Sequence, residues 1–238
     1  MAAALLCLGA ALCAAAQNKV SVRPEDKGAR QSPAAAPSSA PAVADEKNAP
    51  GYSYEFRQPD FVVSHIQISH DAAGRGSITF ERKGDTEAIT EPFEFSATAL
   101  ARVNALWTTL NFLEGETNFE TWTKRLADVG TTRLVVRRGG VEHSTEFKYS
   151  GNRAAFLLAD EYRRASDQAI FVFEIGVARE SQPLDTPKLL NRLDILITRK
   201  ALSDAEQLVP LLRDLSTDER LPLIARNQVG RILKKIAK

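Results

Sequence analysis

The chain has 238 residues, 31 of them basic and 30 acidic, for a net charge of +1. So even a balance lacks the basic excess of a nucleic-acid-binding protein. Its two cysteines, Cys7 and Cys13, both fall within the first 16 residues, so the remainder has no thiol to form a disulfide, act as a nucleophile or ligate a metal.

Residues 1–16 are almost wholly apolar, with Leu5, Leu6, Leu8 and Leu12 among alanines, and they end in Ala14-Ala15-Ala16 before Gln17. This run is shorter than the roughly 20 residues of a membrane-spanning helix and carries the small-x-small end of a signal peptide. It reads as an export signal, although no Lys or Arg precedes it. Neither cysteine has the surroundings of a lipid-anchor site: Ala10-Ala11-Leu12 precedes Cys13 and Ala4-Leu5-Leu6 precedes Cys7. Residues 17–53 hold Pro24, Pro33, Pro37, Pro41 and Pro50 among Ala and Ser. Their few large hydrophobes cannot offset the entropy of ordering, so the tract is expected to be a disordered linker. No later apolar run is long enough to span a membrane after cleavage.

From Tyr54 the pattern becomes foldable, and 54–182 is expected to form an α+β domain. Val62, Ile66 and Ile68 share one strand face. The loop from Asp71 to Gly76 follows, then a strand with Ile78 and Phe80. A run around Ile89 to Phe95 contains Pro92, which suits an edge. Ser96 is placed to cap a helix carrying Leu100, Val103, Trp107 and Leu110. Thr132, Leu134 and Val136 then alternate with Arg133, Val135 and Arg137. Gly139-Gly140 predicts a tight hairpin, and the return strand sets Val141, His143, Thr145, Phe147 and Tyr149 on one face. From Asn152 the period becomes helical: Ala155, Leu158, Tyr162, Ala165, Ala169, Val172 and Gly176 form a narrow seam of mostly small residues that would let a partner backbone approach closely. Beyond Ala169 that helix is apolar nearly all round, with Ile170, Phe171, Phe173 and Ile175.

Residues 183–238 are expected to cover it with three amphipathic helices. The first opens at Thr186-Pro187 with Leu189, Leu190, Leu193, Leu196 and Ile197. A second has a capping box of Ser203 and Glu206, with Ala205, Leu208, Leu212 and Leu215 inward. A third begins at Ser216 or Thr217 and carries Leu221, Ala225, Ile232 and Ile236. The whole is an α+β fold: an antiparallel sheet of about five strands packed with two helices, followed by a C-terminal three-helix appendage.

The order β-hairpin, edge strand, helix, loop, β-hairpin, helix, carried by Ile78-Thr79-Phe80, the capped helix Ser96 to Leu110, the run Thr132 to Val136 and Gly139-Gly140, resembles uncharacterised bacterial secreted α+β domains. The resemblance covers Tyr54 to Arg179. It implies a fold and brings no activity.

No catalytic, cofactor or metal constellation stands out. His65 and His70 are five apart on one strand and so point to opposite faces, which argues against a shared metal. His143 stands alone on the return strand. No Ser carries the glycines of a nucleophile elbow, and Gly74-Arg75-Gly76 lacks the Lys and Ser/Thr of a phosphate loop. Glu114, Glu116, Glu120 and Asp128 cluster in the loop after the first helix, with Phe119 and Trp122, aromatics that either plug the core or await a partner. Arg133, Arg137 and Arg138 make a basic patch on the second hairpin, and Lys234, Lys235 and Lys238 another at the C-terminus. The sequence therefore reads as an exported, non-enzymatic binding or structural module. Its partner would be another protein or an envelope component, and Phe119, Trp122, Arg133 and Arg137 are the candidate contact residues. Two alternatives stand beside this: an extracytoplasmic hydrolase with its site in the Glu114 to Gly130 loop, and an inhibitor-like domain that presents that loop to an enzyme.

Overall fold

Tyr52, Tyr54 and Phe56 alternate with Ser53, Glu55 and Arg57, and in the computed structural model this stretch is a strand, β1 (Gly51–Arg57). The structure describes residues 51–115, 118–121 and 129–237. The stretch expected to be a signal peptide, most of the expected linker, Glu116, Trp122 and Asp128 lie outside them. β1 is followed by β2 (Val63–Asp71), β3 (Arg75–Arg82) and β4 (Ile89–Glu94), then by α1 (Ala97–Leu110), β5 (Thr131–Arg138), β6 (Val141–Phe147) and α2 (Arg153–Ser181). The strands form one antiparallel sheet in the order β4-β3-β2-β1-β5-β6. Six strands thus stand where the periodicity predicts about five. β1 is the additional one, and it joins the two halves of the sheet. β4 is an edge, which suits Pro92: it has no N–H to give a neighbour.

Period-two alternation puts Tyr54, Ile66, Ile68, Ile78, Phe80, Leu134 and Val136 on the inner face, all buried. α1 and α2 pack there through Ala99, Val103, Trp107, Ala155, Leu158 and Tyr162. Local signals fix the ends of these helices. The Ser96 hydroxyl accepts the Ala99 N–H at 3.2 Å, and the Asn152 side chain accepts from Ala154 and Ala155. Gly139 and Gly140 have φ of 60° and 79°, the positive pair that a two-residue hairpin turn requires. Gly76 is also obligatory, since a β-carbon there would stand 1.9 Å from the Ser69 carbonyl oxygen.

At the centre of this core Tyr162 is fully enclosed. Its ring stacks on Tyr54, and its hydroxyl lies 3.1 Å from the Trp107 indole N–H and 2.7 Å from His70 Nε2. His70 Nδ1 is 2.7 Å from the Asp71 carbonyl oxygen. A carbonyl only accepts, so Nδ1 carries the proton and Nε2 accepts from Tyr162. Trp107 therefore donates to Tyr162, Tyr162 to His70, and His70 to the backbone. A second proton on His70 would leave a buried hydroxyl with no acceptor. Burial already holds the His70 pKa below its ordinary value. Because the folded value lies below the unfolded one, the stability contributed by neutral His70 is complete above about pH 6.5 and is lost as pH falls from there toward the folded value. The urea midpoint of the wild type is expected to fall between about pH 7 and pH 5 more steeply than that of His70→Gln. Equal slopes would show that His70 does not carry the dependence.

The last third of the chain builds a second core. A 3-10 turn (Pro183–Asp185) leads to α3 (Thr186–Thr198), a second 3-10 turn (Ala205–Leu208) to α4 (Val209–Thr217), and then α5 (Leu223–Ile236). Leu190, Leu193, Leu212, Leu215, Ala225 and Val229 are buried against Phe171 and Ile175 of α2, so the inward leucines and the apolar end of the long helix do cover each other. Phe173 points the other way, edge-on to Phe80 of the sheet. All described residues belong to one compact unit. Two helix starts differ from expectation. Ser203 does not cap: its hydroxyl reaches Glu161 at 2.6 Å, while Asp204 caps the 3-10 turn through the Glu206 N–H. α5 begins after Pro222, and Ser216 and Thr217 instead end α4. The Asp204 side chain sets the first of these starts, and Pro222, extended at ψ 143°, sets the second.

Polar side chains bind the two cores together. Glu161, 5% exposed, takes hydrogen bonds from Arg102 at 2.7 Å, Arg164 at 3.2 Å and Ser203. Arg102 and Arg164 also donate to the carbonyls of Ser203 and Leu202. Asp204 accepts from the hydroxyls of Ser96 and Thr98. Burial alone would raise its pKa, and these hydrogen bonds outweigh it and hold the carboxyl below the usual range.

Candidate functional site

Beside the edge strand, α2 leaves part of its small-residue seam uncovered. The first half of that seam, Ala155, Leu158 and Tyr162, is buried. In the second half Ala165 is also buried, while Ala169, Val172 and Gly176 are partly exposed, and together they form the floor of an open groove of about 640 Å³. One wall is β4 with the residue after it, from Glu91 to Phe95. The other is Gln207, Leu208, Pro210 and Leu211, at the turn into α4. Val172 and Val177 on this stretch are 42% and 48% exposed. A volume of this size lies within the range of ligand pockets, roughly 300–1,000 Å³.

At the Ala165 end the groove is bordered by an amide ladder. Gln168 Nε2 donates to the Gln207 side chain at 2.8 Å, Gln168 Oε1 accepts the Asp204 N–H at 2.9 Å, and Gln207 Nε2 reaches the Glu94 carbonyl at 3.2 Å. This ladder ties the 3-10 turn to both α2 and β4 and so fixes the spacing of the walls. The only charged residues on the lining are Glu91 and Glu94. Glu91 is the register partner of Ile78 and half-buried, so it stands on the inner face, where an apolar residue would be expected. Neither glutamate forms an ion pair among the described residues.

Gly176 is the least explained residue of the floor. A β-carbon built on it would meet nothing within 4 Å. Glycine inside a helix costs about 1 kcal/mol relative to alanine, and no intramolecular packing asks for it here.

The residues singled out in the sequence lie elsewhere. Phe119 is 4% exposed and rests against Phe112 in the first core. Glu120 accepts the Lys148 N–H at 2.6 Å and Thr121 the Gly151 N–H at 2.8 Å, so the described part of that loop is tied to the β6–α2 connection. Glu114 is exposed. Arg137 pairs with Glu142 at 2.7 Å, with Arg133 at 3.9 Å from the same residue. Lys235 pairs with Asp194. His65 lies on the outer sheet face between Glu55 and Glu81, 3.0 Å from each, whereas His70 is in the core, so the two histidines do point to opposite faces. His143 is half-buried, edge-on to Phe112. Among the described residues no group of three His, Cys, Asp or Glu is placed to hold a metal ion, and no helix is long and apolar enough to cross a membrane.

The groove was only half legible in the sequence. The seam of small residues shows in the spacing, but the wall at Gln207 to Leu211 is distant in sequence, and only folding brings it opposite β4. No protein-family model matches the chain, and no curated protein sequence matches it.

Proposed function

We propose that this protein is an exported, non-enzymatic binding module, and that the groove beside β4 is where it takes its ligand. The observation that carries this reading is a mid-helix glycine, Gly176, set in an apolar groove with nothing packed against it. Gly230 in α5 is equally unpacked, but Gly176 lies on the floor of the groove, where the missing side chain leaves room for a ligand. The lining is mostly apolar, and the Ser203 hydroxyl on it is held by Glu161, a carboxylate already engaged by Arg102 and Arg164, an arrangement that favours binding over chemistry. The apolar leader ending at Ala16 supports export, and the Pro- and Ala-rich tract behind it would serve as a tether.

A photo-crosslinking side chain in place of Val172 tests this in the exported fraction of cells. It is expected to give a discrete crosslinked species that Gly176→Leu suppresses, while the same side chain at Gln67 on the outer sheet face gives none. Crosslinking that is equal from both positions, or absent from Val172, would count against the groove.

A further inference from the structure

We infer that the occupant of this groove is an amphipathic α-helix of a partner protein, with a Lys or Arg flanking its apolar face. This inference rests on the groove being the binding site.

Three features of the groove select the ligand. The first is the backbone of its wall. An extended peptide would gain affinity by adding a strand to the free side of β4. Pro92 lies in the middle of that strand with no N–H to donate, and the Glu94 carbonyl is already taken by Gln207. Glu91, an inward-pointing charge, is a further feature that protects an edge against strand addition. A ligand whose backbone is already satisfied does not need those groups, and a helix satisfies its own.

The second is the floor. Ala165, Ala169, Val172 and Gly176 follow one another by steps of four, three and four along α2, which places them on a single face. Small residues at that spacing let a second helix approach closely, and the anchors of a docked helix recur at the matching interval. The open space over Gly176 suits a large side chain from the partner.

The third is charge. The lining holds two glutamates, no cation, and no ion pair for either glutamate among the described residues. Glu91 is half-buried on the inner face of β4, so the groove is acidic along that wall and a cationic group on the ligand would complement it. A fatty acid or another apolar anion would set its own charge beside Glu91 with nothing to balance it. An apolar helix without a cation would cover Glu91 and leave it unpaired, which is costly.

Binding of a fluorescent synthetic helix to the full chain tests the inference. The peptide is about five turns long, with a Leu/Ala face flanked by lysines. Its glutamate-flanked counterpart and laurate are the comparisons. The lysine peptide is expected to bind at least about tenfold more tightly than the glutamate peptide, equivalent to ~1.4 kcal/mol. Glu91→Lys should reverse that preference, and Glu91→Gln should remove most of it. Gly176→Leu should abolish binding of both peptides while leaving the melting temperature at or above the wild-type value, because it replaces a helical glycine. If laurate binds and Gly176→Leu blocks it, but neither peptide binds, the groove stands as a site and the helix inference falls. If both peptides bind equally and Glu91→Lys changes nothing, the cationic requirement falls. If no probe binds in a way that Gly176→Leu removes, the groove reading falls as well.

Discussion

Leu193→Asp is expected to prevent the C-terminal helices from docking and to drive the protein to aggregate. Leu193 has no exposed surface, and it lies in α3 among Leu190, Leu212, Leu215 and the α2 residues Phe171 and Ile175. A carboxylate there would be buried among apolar side chains. The cost is on the order of 4 kcal/mol or more, a large share of the stability of a domain this size. Three short amphipathic helices gain little from propensity alone, so once they lose their seat on α2 they have no independent fold to retain. Truncation after Gln182 should have the same outcome by exposing Phe171 and Ile175, both fully buried in the intact chain. Size-exclusion chromatography beside the wild type reads both. A monomeric Leu193→Asp protein with a cooperative melt near the wild-type temperature would show that the second core does not depend on this contact.

The second large effect is expected at Tyr162. Removing only its hydroxyl, in Tyr162→Phe, leaves the Trp107 indole N–H without an acceptor and His70 Nε2 without a donor, both deep in the first core. An orphaned buried polar group costs about 1–3 kcal/mol, so the loss in unfolding free energy should be roughly 2–4 kcal/mol although the ring and its stacking on Tyr54 remain. Adding Trp107→Phe to Tyr162→Phe removes one orphan. The double variant should therefore lose less than the sum of the two single variants. Urea unfolding of the four proteins gives the comparison. Strict additivity, or a Tyr162→Phe protein within about 0.5 kcal/mol of the wild type, would mean that the hydroxyl does not organise this core.

These two sites also show where sequence reasoning reached and where it stopped. The docking of α3, α4 and α5 on α2 could be foreseen, because the leucine faces and the all-round apolar stretch from Ile170 to Ile175 each lacked a partner and could only satisfy one another. The Ser96 cap, the Gly139-Gly140 turn, the edge position of Pro92 and most strand faces were legible because each depends on neighbours close in the chain; Val62, expected on one face with Ile66 and Ile68, instead lies before β2 and is exposed. β1 lies ahead of the first strand face expected from the periodicity, that of Val62, Ile66 and Ile68. The break between the two strands, from Gln58 to Val62, does carry the turn residues Pro59 and Asp60, but they are a single pair without glycine and no polar run follows them. The Trp107–Tyr162–His70 chain and the Glu161 cluster could not be read from the sequence. Their members are 55 and 92 residues apart in the first case and up to 101 in the second, and nothing in local spacing marks a polar group that will be buried. The same holds for the candidate site. Attention in the sequence falls on the loop around Phe119 and Trp122, since aromatics and carboxylates together suggest contact or chemistry. Phe119 is instead part of the core. The groove is made of alanines, a glycine and a proline-interrupted edge, residue types that draw no notice until three distant segments surround one empty volume.

The central claim is that this volume is the protein's docking site. Methyl and amide chemical-shift mapping with the lysine-flanked helix tests it most directly. The predicted result is a contiguous set of shifts at Ala165, Ala169, Val172, Gly176 and Val177, extending to Glu91 and Leu211, with the outer-face residues Gln67 and Thr79 unmoved. Shifts that map to the outer face of the sheet or scatter over the surface, or a spectrum that does not change at saturating peptide, would contradict it.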